Sequence, residues 1–271
     1  MVLKRKIYEK LLTWKEECRG TKAILVEGAR RIGKSTVCEE FGKNEYQTYL
    51  LIDFALATAE IKSYFEKYLN DLDTFFMMLS TAYGKRLYPR ETLIIFDEVQ
   101  MFPKAREAIK YLVKDGRYDY IETGSLISIK ENVKDIVIPS EERHLKMYSL
   151  DFEEFCMALG EDVIIDYIRQ CFGRKIPLEQ ELHEKAMLLF RQYMLVGGMP
   201  KSVVAFVEGR KDFEAADREK RDILELYRSD IMKIGAKYRS KVLSIFDQIP
   251  GFLSSHEKRV IFKEIEEGSY A

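Results

Sequence analysis

The run Gly28-Ala29-Arg30-Arg31-Ile32-Gly33-Lys34-Ser35 matches the pattern G-x-x-x-x-G-K-[ST], and it lies between a predicted strand and a predicted helix. The apolar run 23–26 before it predicts a short buried strand, and residues 36–41 after it predict the first turns of a helix. Two glycines let the backbone curl, so that successive N–H groups and the helix N-terminus converge on one phosphate. The sequence therefore predicts a strand, a phosphate-binding loop and a helix, in that order.

Each position of this loop is a candidate nucleotide contact. Lys34 adds a positive charge for the phosphates. Ser35 offers a hydroxyl to Mg²⁺, which otherwise needs water and phosphate oxygens to complete its octahedral shell. The predicted binding set is Gly28, Ala29, Arg30, Arg31, Ile32, Gly33, Lys34, Ser35 and Thr36.

Charge composition narrows the range of partners. The chain has 271 residues, which is enough for one large domain or two modest ones with a core that needs no disulfides. Its 44 Lys and Arg residues against 45 Asp and Glu residues give a net charge of −1. No global basic field therefore favours binding to nucleic acid or to an anionic membrane, although a local basic face stays open.

The cysteines and the apolar segments predict a cytoplasmic protein. Cys18, Cys38, Cys156 and Cys171 lie far apart with no C-x-x-C pair, which argues against a zinc site and a secreted disulfide framework and favours buried thiols. The N-terminal charges are followed by no apolar signal region, and no stretch of about 18 apolar residues occurs. Residues 7–18 predict instead a helix that packs on the domain.

Two carboxylates follow a second apolar run. Residues 93–96 show no alternation of apolar and polar side chains, as expected for a central parallel strand, and Asp97 and Glu98 end this run some sixty residues after the loop. Asp97 is predicted to hold Mg²⁺, directly or through water. Glu98 is predicted to orient and deprotonate the attacking water, since hydrolysis needs a base that is not held by the metal.

Thr123 and Ser125 end the next predicted strand, which begins at Tyr118. These side chains could touch the γ-phosphate or its water if that strand lies between the first and the third; a plain turn is the alternative. GTP is disfavoured, because Asn132-Val133-Lys134-Asp135 has the wrong order for the guanine-binding Asn-Lys-x-Asp and because position 100 is Gln instead of the Gly of an Asp-x-x-Gly switch. We therefore expect ATP as the nucleotide.

The order of predicted elements indicates an α/β fold. Further strands are predicted over 48–54 and 145–150, and their alternation with helices predicts a doubly wound parallel sheet over residues 1–150 with helices on both faces. From Asp151 onward helical periodicity dominates. The predicted helices of this second, all-helical part cover residues 152–159, 163–171, 178–195, 201–208 and 212–234.

Six motifs together resemble the bacterial and archaeal ATPases of the AAA superfamily that carry a C-terminal domain of unknown function. Besides the loop, they are Phe96-Asp97-Glu98-Val99-Gln100, Thr123-Gly124-Ser125, Leu150-Asp151-Phe152-Glu153-Glu154-Phe155, Gly197-Gly198-Met199-Pro200 and Ile249-Pro250-Gly251-Phe252-Leu253-Ser254. The resemblance implies a P-loop ATPase domain over 1–150, a lid-like helical domain over 151–235 and an incomplete winged-helix-like segment over 236–271.

The sequence departs from the family in the segment before the fifth strand. Family members usually have a Pro-x-Gly-Lys or Gly-Arg element there, whereas this chain has Pro139-Ser140-Glu141-Glu142-Arg143. Arg143 is thus either a charge-stabilising arginine or an ordinary surface residue. An arginine supplied by a second copy would require a homo-oligomer. The candidates for that role are Arg106, Arg117 and Arg143.

These motifs favour a Mg²⁺-dependent ATPase that acts as a nucleotide-state switch, with the helical part as its lid. One alternative is a small-molecule phosphotransferase, although residues 125–150 contain a single arginine instead of an arginine-rich lid. The other is a scaffold that binds DNA or a protein partner and has lost hydrolysis. The winged-helix resemblance suggests that scaffold, and the neutral charge disfavours it for DNA.

Overall fold

Five parallel strands form one sheet in the computed structural model, which describes residues 1–125, 140–233 and 235–254. Their order across the sheet is β2-β3-β4-β1-β5, so that β4 lies between β1 and β3. The strands are β1 (Ala23–Gly28), β2 (Thr48–Asp53), β3 (Thr92–Asp97), β4 (Asp119–Ser125) and β5 (Glu142–Lys146).

Helices cover both faces of this sheet. One face buries Val26 and Ile95 against α1 and α2, and the other buries Leu25, Ile94 and Phe96 against α3, α4 and α5. This arrangement confirms the predicted α/β parallel sheet with helices on both faces. The five helices are α1 (Ile7–Cys18), α2 (Lys34–Glu45), α3 (Ala59–Lys67), α4 (Leu72–Tyr83) and α5 (Pro103–Asp115).

Six further helices follow the sheet within the described residues. Phe155 of α6, Val203 and Phe206 of α9 and Leu150 form one apolar cluster, and Leu189 of α8 belongs to a second. The predicted helical part is thus observed, whereas its domain boundaries stay a prediction. These helices are α6 (Phe152–Ala158), α7 (Val163–Arg174), α8 (Gln180–Val196), α9 (Pro200–Glu208), α10 (Phe213–Ile231) and α11 (Ala236–Ser254).

The strand register brings the chemistry-bearing residues to one edge of the sheet. Val26 of β1 pairs with Thr123 of β4, and Gly28 pairs with Ser125. On the other side of β4, Asp97 ends β3 beside β2. Because all the strands are parallel, their carboxyl ends meet at one edge, where ligands of such sheets bind.

The fifth strand differs from its prediction over residues 145–150. It runs over Glu142–Lys146, pairs with β1, and begins with three polar residues. No apolar pattern marked these residues, because β5 is an edge strand and its first carboxylate is buried in an ion pair with Arg106 of α5. The apolar residues Met147 and Leu150 of the predicted strand are buried, but they follow β5.

The Gly197-Gly198 pair joins the helical part to the end of the sheet. Gly197 has a φ of +77°, which favours glycine. A Cβ at Gly198 would lie 2.2 Å from the carbonyl oxygen of Leu150. The Leu150 N–H donates a hydrogen bond of 2.7 Å to the Gly198 carbonyl, and Pro200 then starts α9. Both glycines are therefore required by backbone geometry.

Three of the four cysteines are buried, namely Cys18, Cys38 and Cys156, while Cys171 is half-buried. Among the described residues, no helix combines the length and the apolar character that crossing a membrane would take. The predicted winged-helix-like segment is described only as far as Ser254, where α11 ends; residues 255–271 lie outside the described residues.

We expect Gly198→Ala to lower the free energy of unfolding by about 1–3 kcal/mol, because the new methyl group would collide with backbone atoms that cannot move aside. Urea denaturation measures this. The matched control is Gly173→Ala in the exposed part of α7, where no atom lies within 4 Å of the added Cβ. That variant should be neutral or gain up to about 1 kcal/mol of helix stability. Equal effects of the two changes would contradict this account of Gly198.

Candidate functional site

The loop between β1 and α2 is shaped by its two glycines. A Cβ at Gly28 would lie 2.3 Å from the carbonyl oxygen of Met147, so that only glycine allows β1 and the segment after β5 to approach this closely. Gly33 has a φ of +88° and Arg31 a φ of +64°, both in the left-handed region. That region is uncommon for a residue with a side chain such as Arg31. The loop thus curls back on itself.

The α2 N-terminus is open to an anion. No side chain caps it at Gly33, and its first turn contains no acidic residue. The first N–H groups of a helix have no partner within the helix, and the helix dipole adds positive potential there. A phosphate group satisfies both conditions. The backbone at this end of α2 therefore fits a bound nucleotide phosphate.

Lys34 is a buried cation whose ammonium group contacts backbone carbonyl oxygens. Its side chain is 5% exposed, and its Nζ donates hydrogen bonds to the carbonyl oxygens of Gly28 at 3.2 Å and Ala29 at 2.8 Å. Among the described residues, no carboxylate oxygen forms an ion pair with it. Burial lowers the pKa of Lys34, and the negative charges of Glu98 and Asp97 oppose this only in part. An ammonium group in such surroundings is stabilised by a bound anion.

Asp97 connects three elements through one carboxylate oxygen. Its Oδ1 accepts hydrogen bonds from Ser35 Oγ of α2 at 2.8 Å and from Thr123 Oγ1 of β4. Thr123 Oγ1 also accepts the backbone N–H of Glu98 at 3.3 Å. Asp97 and Thr123 are buried, at 7% and 0% exposure. The structure thus brings together predicted site residues from three distant segments of the sequence, which contain Ser35, the Asp97-Glu98 pair and Thr123.

The Ser35 and Asp97 oxygens fit the ligand shell of Mg²⁺. Mg²⁺ takes oxygen ligands at about 2.0–2.1 Å in octahedral geometry, which separates neighbouring ligand oxygens by about 2.9 Å. Ser35 Oγ and Asp97 Oδ1 are 2.8 Å apart. The spacing of these two oxygens thus matches two adjacent positions of one such shell.

Glu98 is held in a strained conformation. Its φ of +52° lies in the left-handed region, although it is not a glycine. Its Oε2 accepts a hydrogen bond from Gln100 Nε2, in the short 3₁₀ turn Val99–Met101 that follows β3. Strain of this kind persists only where the surroundings determine it, and it is common at active sites. The carboxylate is half-buried, which leaves it open to solvent.

The remaining predicted residues differ in exposure. The Ile32 side chain is buried in the core, where it anchors the loop. Ser125 is buried at the end of β4, opposite Gly28 of the loop. Ala29, Arg31 and Thr36 are exposed, and Arg30 is half-buried.

A cavity of about 780 Å³ opens beside the loop. It is bounded by Gly33, Thr36 and Val37 of the loop and α2, by residues 1–6 at the start of the chain and by α9. Its volume lies within the range of about 300–1,000 Å³ that is typical of small-molecule sites. The phosphate-binding loop therefore borders a space large enough for the rest of a nucleotide.

A comparison with protein-family models decides the family. The model described as "AAA domain" matches residues 20–156, which is just over half of the chain and includes the loop, Asp97 and Thr123. The chain belongs to this AAA domain family. The family supports a nucleotide-binding, ATPase-type function, and it confirms the resemblance drawn from the sequence motifs.

A second family model, "Domain of unknown function (DUF8612)", matches residues 187–270, and a search of curated protein sequences found no match. The structure of the ORC1 protein of Aeropyrum pernix in complex with DNA is similar over 99% of this chain and 77% of that one, at 11% identity and a TM-score of 0.40. The structure of PCH-2 of C. elegans is similar over 79% of this chain and 65% of that one, at 11% identity and a TM-score of 0.38.

The AAA domain pairs its three candidate arginines within its own chain. Arg106 is 3% exposed and donates two hydrogen bonds to the Glu142 carboxylate, at 2.7 and 2.9 Å. Arg117 pairs with Asp73 and Asp115, and Arg143 pairs with Glu17. To contact a nucleotide bound to a second copy of the chain, Arg106 would have to break its hydrogen bonds to the buried Glu142 carboxylate. Arg117 and Arg143 would give up only partly exposed pairs.

Sequence reasoning missed one buried support of the loop. Arg5 is 9% exposed; its Nη1 donates to the Ile32 carbonyl at 2.7 Å, its Nη2 to the Tyr148 carbonyl at 2.6 Å and its Nε to Glu154 Oε1 at 3.1 Å. It thereby joins the loop, the segment after β5 and α6. No signal in the sequence could reveal it, since a lysine- and arginine-rich N-terminus is typical of an exposed segment.

Sequence reasoning also gave no role to α10. Tyr227 and Asp230 near the end of this helix contact Arg30 of the loop. Tyr227 lies in the mixed-charge run 218–228, whose spacing predicts a solvated helix face, and Asp230 follows that run. Only the tertiary structure places them at the loop.

We expect Thr123→Val to cost about 1–3 kcal/mol of stability, because the shape of the side chain is kept while a buried hydrogen-bond donor to Asp97 and an acceptor for the Glu98 N–H are lost. Chemical denaturation measures the change. Thr48→Val, at the opposite end of edge strand β2, is the control and should be close to neutral. A Thr123→Val protein as stable as the wild type would contradict the proposed hydrogen-bond network.

Proposed function

We propose that this AAA domain binds ATP with Mg²⁺, hydrolyses it slowly and uses the nucleotide state to set the position of its helical part. The observation that carries the proposal is that Ser35 and Thr123 both donate hydrogen bonds to Asp97 Oδ1. This oxygen lies at the same edge of the sheet as the uncapped N-terminus of α2 and the buried Lys34. Every group that a phosphate and a hydrated divalent cation require is present within one edge of the sheet.

The loop residues have the chemistry to bind the phosphates. The N–H groups at the start of α2 offer hydrogen bonds to phosphate oxygens, and Lys34 can exchange its contacts with two carbonyl oxygens for contacts with an anion. Mg²⁺ beside Ser35 and Asp97 would neutralise charge on the phosphate oxygens. The cavity next to Gly33 and Thr36 supports binding of the base and ribose outside the loop.

Glu98 has the position of a general base. It follows Asp97 directly, so that its carboxylate lies next to the metal-binding residue without being a ligand itself. Gln100 holds one of its oxygens, which leaves the other oxygen to accept a proton from water as the water oxygen attacks the γ-phosphorus. The bond from that phosphorus to the bridging oxygen breaks, and ADP leaves. Thr123 supports this arrangement through the Glu98 N–H.

The helical part has the contacts of a lid. Tyr227 and Asp230 touch Arg30 of the loop, and Pro200 at the start of α9 would lie 3.7 Å from a Cβ at Gly33. Two helices after the sheet therefore lie next to the phosphate-binding loop. These contacts support a switch in which the nucleotide changes the position of the helices.

We expect Lys34→Ala to weaken ATP binding between tenfold and a hundredfold, since a charge-assisted contact contributes roughly 1.5–3 kcal/mol. Isothermal titration with ATP and Mg²⁺ measures this. The matched control is Lys43→Ala in the last turn of the same helix, an exposed residue that pairs with Glu39 and Glu40. It should bind ATP as the wild type does. Undiminished affinity in Lys34→Ala would refute the proposed function.

We expect Glu98→Gln to keep ATP bound while the rate of ADP release falls by a factor of about 10² to 10⁴, because the amide cannot accept the proton of the attacking water. A coupled assay of ADP formation under single-turnover conditions separates the two effects. Glu107→Gln, on the exposed side of α5, is the control and should hydrolyse ATP normally. Equal rates in Glu98→Gln and wild type would remove Glu98 as the base.

A further inference from the structure

The end of α10 rests on the phosphate-binding loop through two contacts with one residue. Asp230 Oδ2 lies 2.5 Å from Arg30 Nη1, and the Tyr227 hydroxyl donates a hydrogen bond of 2.9 Å to the Arg30 carbonyl oxygen. Tyr227 and Asp230 are three residues apart, so that they share one face of the helix. The loop is thus held at both the side chain and the backbone of Arg30.

The charges around Arg30 favour an anion in the loop. The Arg30 guanidinium is close enough to Lys34 to be among the charges that act on that ammonium group, after burial and the Glu98 and Asp97 carboxylates. Arg30 and Lys34 are thus neighbouring cations, and Asp230 pairs with Arg30. Burial raises the pKa of Asp230, but hydrogen bonds from Lys233 and Arg30 outweigh it and keep the carboxyl ionised.

We propose that Asp230 and the phosphates of a bound nucleotide compete for Arg30. A phosphate offers a guanidinium the same planar pair of acceptors as a carboxylate does, with more negative charge. Nucleotide binding then breaks the Arg30–Asp230 ion pair and loosens the end of α10, which keeps the Tyr227 hydrogen bond to the Arg30 carbonyl oxygen. This inference rests on the proposed function, since it requires a nucleotide in the loop, and it names the residues through which the nucleotide acts on the helical part.

The same end of α10 also contacts α11. The rings of Tyr227 and Phe246 pack with their centroids 6.5 Å apart, and Arg228 Nη2 lies 3.1 Å from Asp247 Oδ1. Both contacts come from the same turns of α10 that hold Arg30. A movement of this helix end therefore changes the position of α11.

The exposure of the Arg30–Asp230 ion pair determines how strongly it can weaken nucleotide binding. The Arg30 and Asp230 side chains are 38% and 29% exposed, which makes this a partly solvated ion pair of modest strength. Competition with it weakens nucleotide binding by roughly two- to fivefold. Since coupling between two binding events is reciprocal, a bound nucleotide weakens the helix contact by the same factor.

The test is a titration of the full chain with a fluorescent ATP analogue and Mg²⁺. We expect Asp230→Asn to bind it roughly two- to fivefold more tightly than the wild type, because the competing carboxylate is gone. Arg30→Gln should bind more weakly, and adding Asp230→Asn to that variant should change the affinity little. The control is Asp217→Asn on the same helix, which removes an equal charge from an ion pair with Arg221 and should have no effect.

Two results would overturn the inference. Unchanged or weaker binding by Asp230→Asn shows that Asp230 does not compete, and equal tightening in the Arg30→Gln background shows a general charge effect that does not act through Arg30. A failure of the proposed function can be distinguished from a failure of this inference. In that case the wild type does not bind the analogue, or Lys34→Ala binds it as well as the wild type does.

Hydrogen exchange provides a second readout on the wild type. Saturating ATP and Mg²⁺ should speed amide exchange over residues 227–231, and Asp230→Asn should show fast exchange there without nucleotide. Slower exchange of this segment on ATP binding means that the nucleotide tightens the contact, which overturns the inference.

Discussion

The arrangement of the site depends on two hydrogen bonds, which Ser35 and Thr123 donate to the same carboxylate oxygen of Asp97. This oxygen joins the end of β3 to the start of α2 and to the end of β4. This is possible only because β4 lies between β1 and β3 and because all three strands run in the same direction. The sheet order therefore decides that the loop, the Asp97 carboxylate and the Thr123 hydroxyl meet at one point.

A buried ion pair joins edge strand β5 to α5. Glu142, at the start of edge strand β5, is buried and is compensated by the two hydrogen bonds from Arg106. Burial and the nearby Glu142 carboxylate raise the pKa of Glu122 on β4. Removing Arg106 alone would leave a buried carboxylate without its partner, which is strongly destabilising. This ion pair keeps β5 beside β1, and so holds Met147 against Gly28 of the loop.

The predictions from the sequence were accurate where a local pattern carried the information. The strands before the loop and before Asp97 are continuous apolar runs, because helices cover both of their faces, and both were predicted close to their observed bounds. The predicted position of the fifth strand was wrong, because the strand begins with polar residues at Glu142. Glu142 is buried through its ion pair with Arg106 of α5 and its pairing with β1. The left-handed conformation of Glu98 likewise has no signal in residue type.

Local sequence patterns were enough to predict the phosphate-binding loop, the Asp97-Glu98 pair and the alternation of strands and helices, because glycine geometry and hydrophobic periodicity act over a few residues. The tertiary structure decided which distant side chains meet. Arg30 and Asp230 are 200 residues apart, and their contact exists only because α10 packs against the loop. A charged residue on a helix gives the same sequence pattern whether it faces water or an opposite charge. The contact between the helical part and the loop therefore cannot be predicted from the local pattern and depends on how the helices pack.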